Sequence, residues 1–499
     1  MRANRSAELN PVNEAEVREC PELPGLRVVR RNGIRLVEQI FRGIEALVEQ
    51  GRLRAGSRVP SVRDLSRALG VSTFTVVEAY EMLVGRRIFS ARRGSGYFVM
   101  HRAAPRAPEP PRAPPPPPPT IGDTWLSIQV FAQQRNLVAA GCGWLPAGWC
   151  GESSVTDALR QAARIPDERL AAYGSPHGFL PLRQHLAERL SERLAPVSPD
   201  QLVLTHGATH ALDLAVRTLL SPGDAVLVES PGYCNLFPML RDRGCRLLPV
   251  PRTKRGLCLD TLHLLAEEHR PKAMFVHTAL QNPLSTSLSQ LDAHRLLAVA
   301  ERFDFMVVED DIFRDFCTAS EPSLAAMDGL QRRVLNLGSF SKAVSPSLRV
   351  GYVAAPEALV ERLLRTKMVF GLTTSEVNER IVHEVVSHPS HRRHLEKLRS
   401  RLAAARERLL ATLDGLGLEP LAVPEGGMFV SAGWGRAPSE AVNARVIAEA
   451  ALQARIALAP GDYFEVDEPQ SIWFRFNVAY SDDPRLHAFL REVPGRFSL

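Results

Sequence analysis

The chain has 499 residues and a formal net charge of +6, and its 61 basic residues divide into 56 arginines and 5 lysines. That length allows three or so domains with a sizeable buried core. The 7 cysteines show no CxxC pair and no histidine-rich companion, so neither a disulfide framework nor a metal site is expected, and no stretch approaches the roughly 20 apolar residues of a membrane helix.

The basic excess is local. Residues 26–100 hold 14 Arg against 6 Asp plus Glu, a net of +8, which is the electrostatic footprint of a nucleic-acid-binding module. On charge alone a solvated arginine-rich face fits equally well. The spacing of Leu36, Val37, Ile40, Phe41, Ile44, Leu47 and Val48 predicts a helix that stops at Gly51. Ser61-Val-Arg-Asp64 reads as a capping box opening a second short helix that ends near Gly70, and Ser72 caps a third that runs to Gly85. β-prone stretches on both sides of Arg92-Arg-Gly-Ser-Gly96 then predict a hairpin. Three helices and a basic hairpin make a winged helix-turn-helix over residues 26–100.

Between His101 and Thr120, 10 of 20 residues are proline. Such a stretch favours polyproline II and reads as a linker, 101–120, between two domains. Beyond it, short β-rich runs at Ala225–Glu229, Ala273–His277, Met306–Glu309, Val334–Leu337 and Val350–Ala354 alternate with helical ones. This predicts an α/β body over 121–499 with a largely parallel sheet. Its large domain spans about 160–375; a smaller α+β domain spans about 376–499 with the N-terminal segment.

In a chain that prefers arginine, a lysine marks chemistry that arginine cannot perform. Lys342, within Gly338-Ser-Phe-Ser-Lys-Ala-Val-Ser-Pro-Ser-Leu-Arg349, can condense with an aldehyde, which implies a Schiff base to pyridoxal phosphate. That cofactor needs a carboxylate for its ring nitrogen, a face to stack on and a phosphate cradle. Asp310 ends a strand, Tyr233 can supply the face, and Gly207, Ala208 and Thr209 open a helix whose amides would face a phosphate. Ser339, Ser341 and Arg349 add hydroxyls and a positive charge. Taken singly, Asp310 could cap a helix, Tyr233 could be core and Arg475 could pair with a surface carboxylate; the order and spacing carry the reading.

Gly51 to Tyr80, with Val-Pro-Ser-Val-Arg-Asp-Leu-Ser-Arg-Ala-Leu-Gly-Val-Ser-Thr-Phe-Thr-Val-Val at its centre, resembles the GntR family of bacterial regulators. The resemblance implies that Ser61 and Arg63 hold DNA phosphates. It also implies that the helix from Ser72, with Thr73 and Thr75, enters the major groove, and that Arg93, Gly94 and Gly96 form the wing. Where that family commonly has arginine this chain has Thr73, which predicts weaker or differently specified half-site binding. From about Trp125 onward the chain resembles fold-type I aminotransferases of class I/II, and the combination resembles the MocR/GabR regulators. That resemblance implies that Asn282 contacts the cofactor's ring hydroxyl and that Tyr173 reaches the phosphate of a neighbouring subunit, hence a homodimer. It further implies that Arg475, with weaker help from the Gly143 amide, grips an amino-acid carboxylate. Phe313 stands where the family has a tyrosine that donates to the ring oxygen, so transamination should be poor.

The expected function is a regulator, located in the bacterial cytoplasm at the nucleoid, that binds a double-stranded DNA operator and senses pyridoxal phosphate or an amino acid or amine. The rival is a catalytically active aminotransferase with an appended DNA-binding head.

Overall fold

The computed structural model describes residues 17–30, 33–92, 96–100, 136–150, 154–193, 196–317, 323–439 and 441–498. The linker 101–120, Arg93 and Gly94 lie outside the described residues. The chain divides into two compact units, Met1–Pro115 and Pro116–Leu499.

In the first unit, helix α1 (Leu36–Glu49) buries Ile40, Phe41, Ile44 and Leu47 along one stripe. Helix α2 (Val62–Leu69) starts where Ser61 Oγ accepts the Asp64 amide at 3.2 Å and ends at Gly70, whose φ of +63° suits a residue without Cβ. Helix α3 (Thr73–Gly85) is capped by Ser72, whose Oγ accepts the Thr75 amide at 3.0 Å. Strands β3 (Phe89–Arg92) and β4 (Gly96–Val99) form the antiparallel wing. Tyr80 locks the three parts together: its ring meets Phe89 and Tyr97 edge-on, with centroids 5.3 and 4.8 Å away, and its hydroxyl donates to the Pro60 carbonyl at 2.9 Å.

A further pair, β1 (Val17–Glu19) and β2 (Arg27–Val29), precedes α1 and is antiparallel. It buries Cys20, Leu23, Leu26 and Val28 in the same core as α1–α3. Among the described residues, the packed core of this unit therefore begins at Cys20, ahead of residue 26.

The second unit is built on an eight-stranded sheet of β5 (Leu202–Thr205), β6 (Ala225–Ser230), β7 (Arg246–Thr253), β8 (Gly256–Leu257), β9 (Ala273–Val276), β10 (Met306–Asp310), β11 (Val334–Ser339) and β12 (Gly351–Ala354). The order is β5-β12-β11-β10-β9-β6-β7-β8. Strands β7, β6, β9, β10 and β11 are parallel, whereas β12 runs against both β11 and β5. Leu204, Leu227, Val276 and Val307 face one helical layer and Val203, Val228, Phe275 and Val308 the other. Burial on both faces is what a parallel sheet requires.

The smaller sheet has the order β13 (Glu419–Pro420), β14 (Phe429–Gly433), β16 (Trp473–Asn477), β15 (Ala459–Pro460), all antiparallel. Its core draws in Leu398, Leu402 and Leu409 of the helix Ser390–Gly415 and Val138, Ala140 and Leu145 of the preceding segment. The helix Glu376–Ser387, where the sequence reading opens this domain, packs instead on the large layer through Ile381, Val382, Val385 and Val386. The helix that joins the small domain's core starts at Ser390. Among the described residues no helix is long and apolar enough to cross a membrane.

Candidate cofactor site and nucleic-acid interface

The ends of four adjacent strands carry a line of alternating charges. In the register of β9 and β10, Val276 pairs with Glu309, so the next residues, His277 and Asp310, come side by side. His277 Nε2 lies 3.4 Å from Asp310 Oδ2, and Nδ1 lies 3.4 Å from Glu229 Oε2 at the end of β6. Glu229 in turn pairs with Arg252 of β7, a guanidinium that is wholly buried and that also donates to the His277 carbonyl at 2.8 Å. Burial resists charge on the imidazole, but Asp310 and Glu229 outweigh it and raise the His277 pKa. Burial would likewise raise Glu229, yet Arg252 and His277 hold it low. At Asp310 burial wins and the carboxyl is raised, with His277 opposing. The line therefore ends on a buried carboxylate that lacks sufficient positive charge. No periodicity in the sequence points to His277; it follows from strand register.

Lys342 follows β11 by three residues and donates its Nζ to the Gly143 carbonyl. Burial, then the positive charges of Arg475 and Arg349, draw its amine down to about 8. Arg475, in β16, is enclosed between the rings of Phe429 and Phe464, 4.2 and 4.7 Å from their centroids. It donates to Asn282 Oδ1 at 2.8 Å and to the Gly141 carbonyl at 2.6 Å. Gly143 therefore presents its carbonyl to Lys342, and a Cβ there would sit 3.9 Å from the Arg475 guanidinium. Tyr233, Glu229, His277 and Asp310 line one small cavity. Burial pushes the Tyr233 phenol up to about 12, and Asn235 donates to it at 3.1 Å.

The helix Gly207–Leu219 begins directly beyond β5, with Gly207 at φ +74°. A Cβ at Gly207 would meet the Arg349 guanidinium at 2.9 Å, so only glycine leaves that rim open. Arg349 points back to Ser341 Oγ and the His206 carbonyl, each at 3.4 Å, and Ser339 Oγ accepts the Ser341 amide at 3.2 Å. Ala208 and Thr209 occupy the first helical turn, and the polar side chains of Asn235 and Thr209 partly offset the rise that burial gives the Tyr233 phenol. Tyr173 differs from the rest, with a side chain 84% exposed.

One lysine outside this set was not foreseen. Lys367, fully buried, donates to the carbonyls of Pro176 at 2.6 Å and Leu204 at 2.8 Å, and to Thr374 Oγ1 at 3.2 Å. It fastens the segment that carries Tyr173 to the strand that leads into the cradle. Phe313 is 2% exposed, lies parallel to His277 at 6.3 Å and meets Phe429 edge-on at 5.7 Å.

Residues 150–493 match the model for aminotransferase class I and II. The chain belongs to the aminotransferase class I and II family. Residues 36–99 of this aminotransferase-family chain match the model for bacterial regulatory proteins of the gntR family, and the two together are the arrangement of MocR-type regulators. Its relatives include the HTH-type transcriptional regulator YdcR of Escherichia coli, 29% identical with 89% of this chain and 95% of that protein covered. The probable rhizopine catabolism regulatory protein MocR of Rhizobium meliloti is 28% identical, with 75% and 76% covered. The 2-aminoadipate transaminase of Thermus thermophilus is 35% identical, with 66% and 83% covered. Among solved structures, LysN, the alpha-aminoadipate aminotransferase of Thermus thermophilus in complex with N-(5'-phosphopyridoxyl)-L-leucine, aligns with TM-score 0.66 at 26% identity, covering 75% of this chain and 99% of that one.

The cofactor of this aminotransferase-family fold is pyridoxal phosphate, and the residues present fit it. A buried carboxylate short of positive charge at Asp310 suits a pyridinium nitrogen. The open rim at Gly207, faced by Arg349, suits a phosphate, and an amine of lowered pKa at Lys342 suits an aldehyde.

On the head, Ser61 and Arg63 stand at the exposed start of α2, and Ser72 and Thr73 at that of α3. The hydroxyls of Ser72 and Thr75 are 2.7 Å apart, a pairing within the cap. Gly96 opens β4 at φ +96°, beside Arg58.

Proposed function

We propose that this chain is a transcriptional regulator of the bacterial cytoplasm. A homodimer loaded with pyridoxal phosphate binds a double-stranded DNA operator and responds to an amino acid or amine. The observation that carries the reading is a complete cofactor-holding set in the body of a chain whose head has a capped, solvent-facing helix-turn-helix.

Pyridoxal phosphate supplies an electrophilic carbonyl at which a primary amine can be held. Lys342 is the chain's own amine for it. With a pKa of about 8, about a tenth of Lys342 is neutral at pH 7, so Nζ releases its proton readily. Asp310 would hold the ring nitrogen's proton and His277 would fix the carboxylate, with Asp310 and Glu229 favouring charge on the imidazole and Arg252, which anchors Glu229, opposing it. Gly207, Ala208 and Thr209 with Ser339, Ser341 and Arg349 would hold the phosphate, and Tyr233 would supply the ring's apolar face. Arg475 and Asn282 lie where an effector's carboxylate would exchange for the Gly141 carbonyl, its planar fork suiting bidentate binding. The exposed Tyr173 reaches the phosphate of the partner subunit, which makes the dimer part of the site.

Phe313 favours sensing over turnover, because an apolar ring stands where a phenol would stabilise the developing charge on the cofactor's ring oxygen. An effector that binds the closed small domain better than the open one shifts the population and with it the spacing of the two heads. A gel-shift titration on DNA from the gene's own upstream region tests this, comparing apo protein, protein with pyridoxal phosphate, and loaded protein with a pool of amino acids and amines. A ligand-dependent change in affinity is expected. No binding in any state, together with keto-acid formation at about 1 per second or faster, would make the chain an aminotransferase instead.

A further inference from the structure

The first turn of α3 presents an apolar ring where base readers commonly present charge. Phe74 is 74% exposed, although Val76, Ala79, Tyr80 and Leu83 of the same helix are buried. Among the described residues, the head's core does not include it. The hydroxyls of Ser72 and Thr75 are committed to the cap, so the groups that face outward at the start of the helix are Thr73 and Phe74. Glu78, Glu81 and Met82 continue the exposed face along later turns.

The side chains along Thr73–Gly85 restrict what this helix can read. In the major groove, guanine is recognised by Arg or Lys on O6 and N7, adenine by Asn or Gln on N6 and N7, cytosine by a carboxylate on N4, and thymine by apolar contact with its C5 methyl. Thr-Phe-Thr-Val-Val-Glu-Ala-Tyr-Glu-Met-Leu-Val-Gly contains no Arg, Lys, Asn or Gln. The bidentate readers of guanine and adenine are therefore absent from the helix itself, and of its hydroxyls that of Thr75 is taken by the cap, which leaves only the single hydroxyl of Thr73 beside the ring. Its acids come a turn or more after the N-terminal residues, which are the ones that approach base edges in a helix-turn-helix. Affinity without sequence information comes from elsewhere on the head, where α2 exposes Arg63 and Arg67. Those arginines suit a phosphate backbone around the ring rather than an apolar protein surface.

Resting on the reading of α3 as the major-groove helix, we propose that Phe74, with the Thr73 methyl beside it, is the specificity-determining contact of each half-site. It packs against thymine C5 methyl groups and so selects thymine at the base step under the start of the helix.

The test uses full-length protein loaded with pyridoxal phosphate. Duplexes are first selected from a random-sequence library, and each thymine of the selected site is then replaced singly by deoxyuridine, which keeps every hydrogen-bonding edge and removes only the methyl. At one or two positions per half-site the native protein should bind about fourfold more weakly, the effect of withdrawing one buried methyl. Phe74→Ala should bind the thymine duplex more weakly and no longer distinguish deoxyuridine, while Phe74→Leu should keep the distinction; because the side chain lies outside the core, both variants should unfold like the native protein. Salt-dependent binding with no thymine preference, or a preference retained by Phe74→Ala, overturns the proposal and leaves the regulator reading intact. Loss of dimerisation in Phe74→Ala with unchanged base preference also overturns it and assigns the ring to a protein contact. Failure of the native protein to enrich any duplex overturns both.

Discussion

Replacing Lys342 by methionine should stabilise the cofactor-free body. Drawing an amine from its usual 10.5 to about 8 corresponds to about 3 kcal/mol of lost stability at neutral pH, at about 1.4 kcal/mol per unit. The side chain is only partly enclosed, so solvent screening reduces this to about 2 kcal/mol, and losing the bond to the Gly143 carbonyl offsets about 1 kcal/mol more. A net gain of about 1 kcal/mol is expected for Lys342→Met at pH 7. Because the folded pKa lies below the unfolded one, the native protein binds fewer protons than its unfolded chain between about pH 8 and 10.5. Native stability therefore rises through that window, and the variant's advantage vanishes as pH approaches 10.5. All 5 tryptophans, at 125, 144, 149, 434 and 473, lie beyond the linker, so tryptophan fluorescence in urea follows the body alone. A variant less stable than the native protein at pH 7, or an advantage undiminished at pH 10.5, would refute the view that this amine is held in an unfavourable field.

Lys367→Met leaves two carbonyls without their donor and Glu379 without its buried counter-charge. The Lys367 amine, like that of Lys342, is drawn down to about 8 by burial, so relief of that desolvation offsets part of the loss and a net cost of about 1–2 kcal/mol is expected in the same fluorescence unfolding experiment. His277→Gln removes the imidazole between Asp310 and Glu229, whose pKa those carboxylates raise against burial, and should weaken cofactor retention about tenfold, read as pyridoxal phosphate released on dialysis. Phe313→Tyr restores a phenol at a position that packs on His277 and Phe429; it should lower the pKa of the bound cofactor's visible absorption band, measured by spectrophotometric titration. Thr73→Arg adds a guanine reader to a helix that has none and should redirect library selection toward guanine, with enrichment of an unchanged site counting against it.

The helices of the head were legible because each has local punctuation. Ser61 and Ser72 cap, Gly70 stops, and the apolar stripe of α1 repeats at helical spacing. The candidate cofactor residues could be proposed from the sequence because their chemistry is restrictive: among side chains, lysine is the amine that condenses with an aldehyde to a Schiff base. Strand β7 was missed because Pro249 and Pro251 argue against a strand. It tolerates them because the Arg246 amide donates toward β6, to Asp224, while the Pro251 carbonyl faces the other way, to Cys258. The odd residues thus direct their backbone groups away from β6, where a missing N–H breaks no ladder bond. Strand β12 read correctly as a strand, but direction depends on pairing rather than composition, and it runs antiparallel. His277, Arg252 and Lys367 were illegible for a related reason. Each acts on a residue far along the chain, and only strand register or helix docking brings the two together.

The line Arg252, Glu229, His277, Asp310 has an experimental use beyond its part in binding. His277 is 4% exposed, and its two ring nitrogens face two different carboxylates. Burial shelters its ring protons from water, and a charge brought to Asp310 would act directly on the nitrogen 3.4 Å away. In protein labelled with 15N-histidine, this ring is an internal gauge of site occupancy. It can be followed by NMR without any dye, including while the head is engaged on DNA.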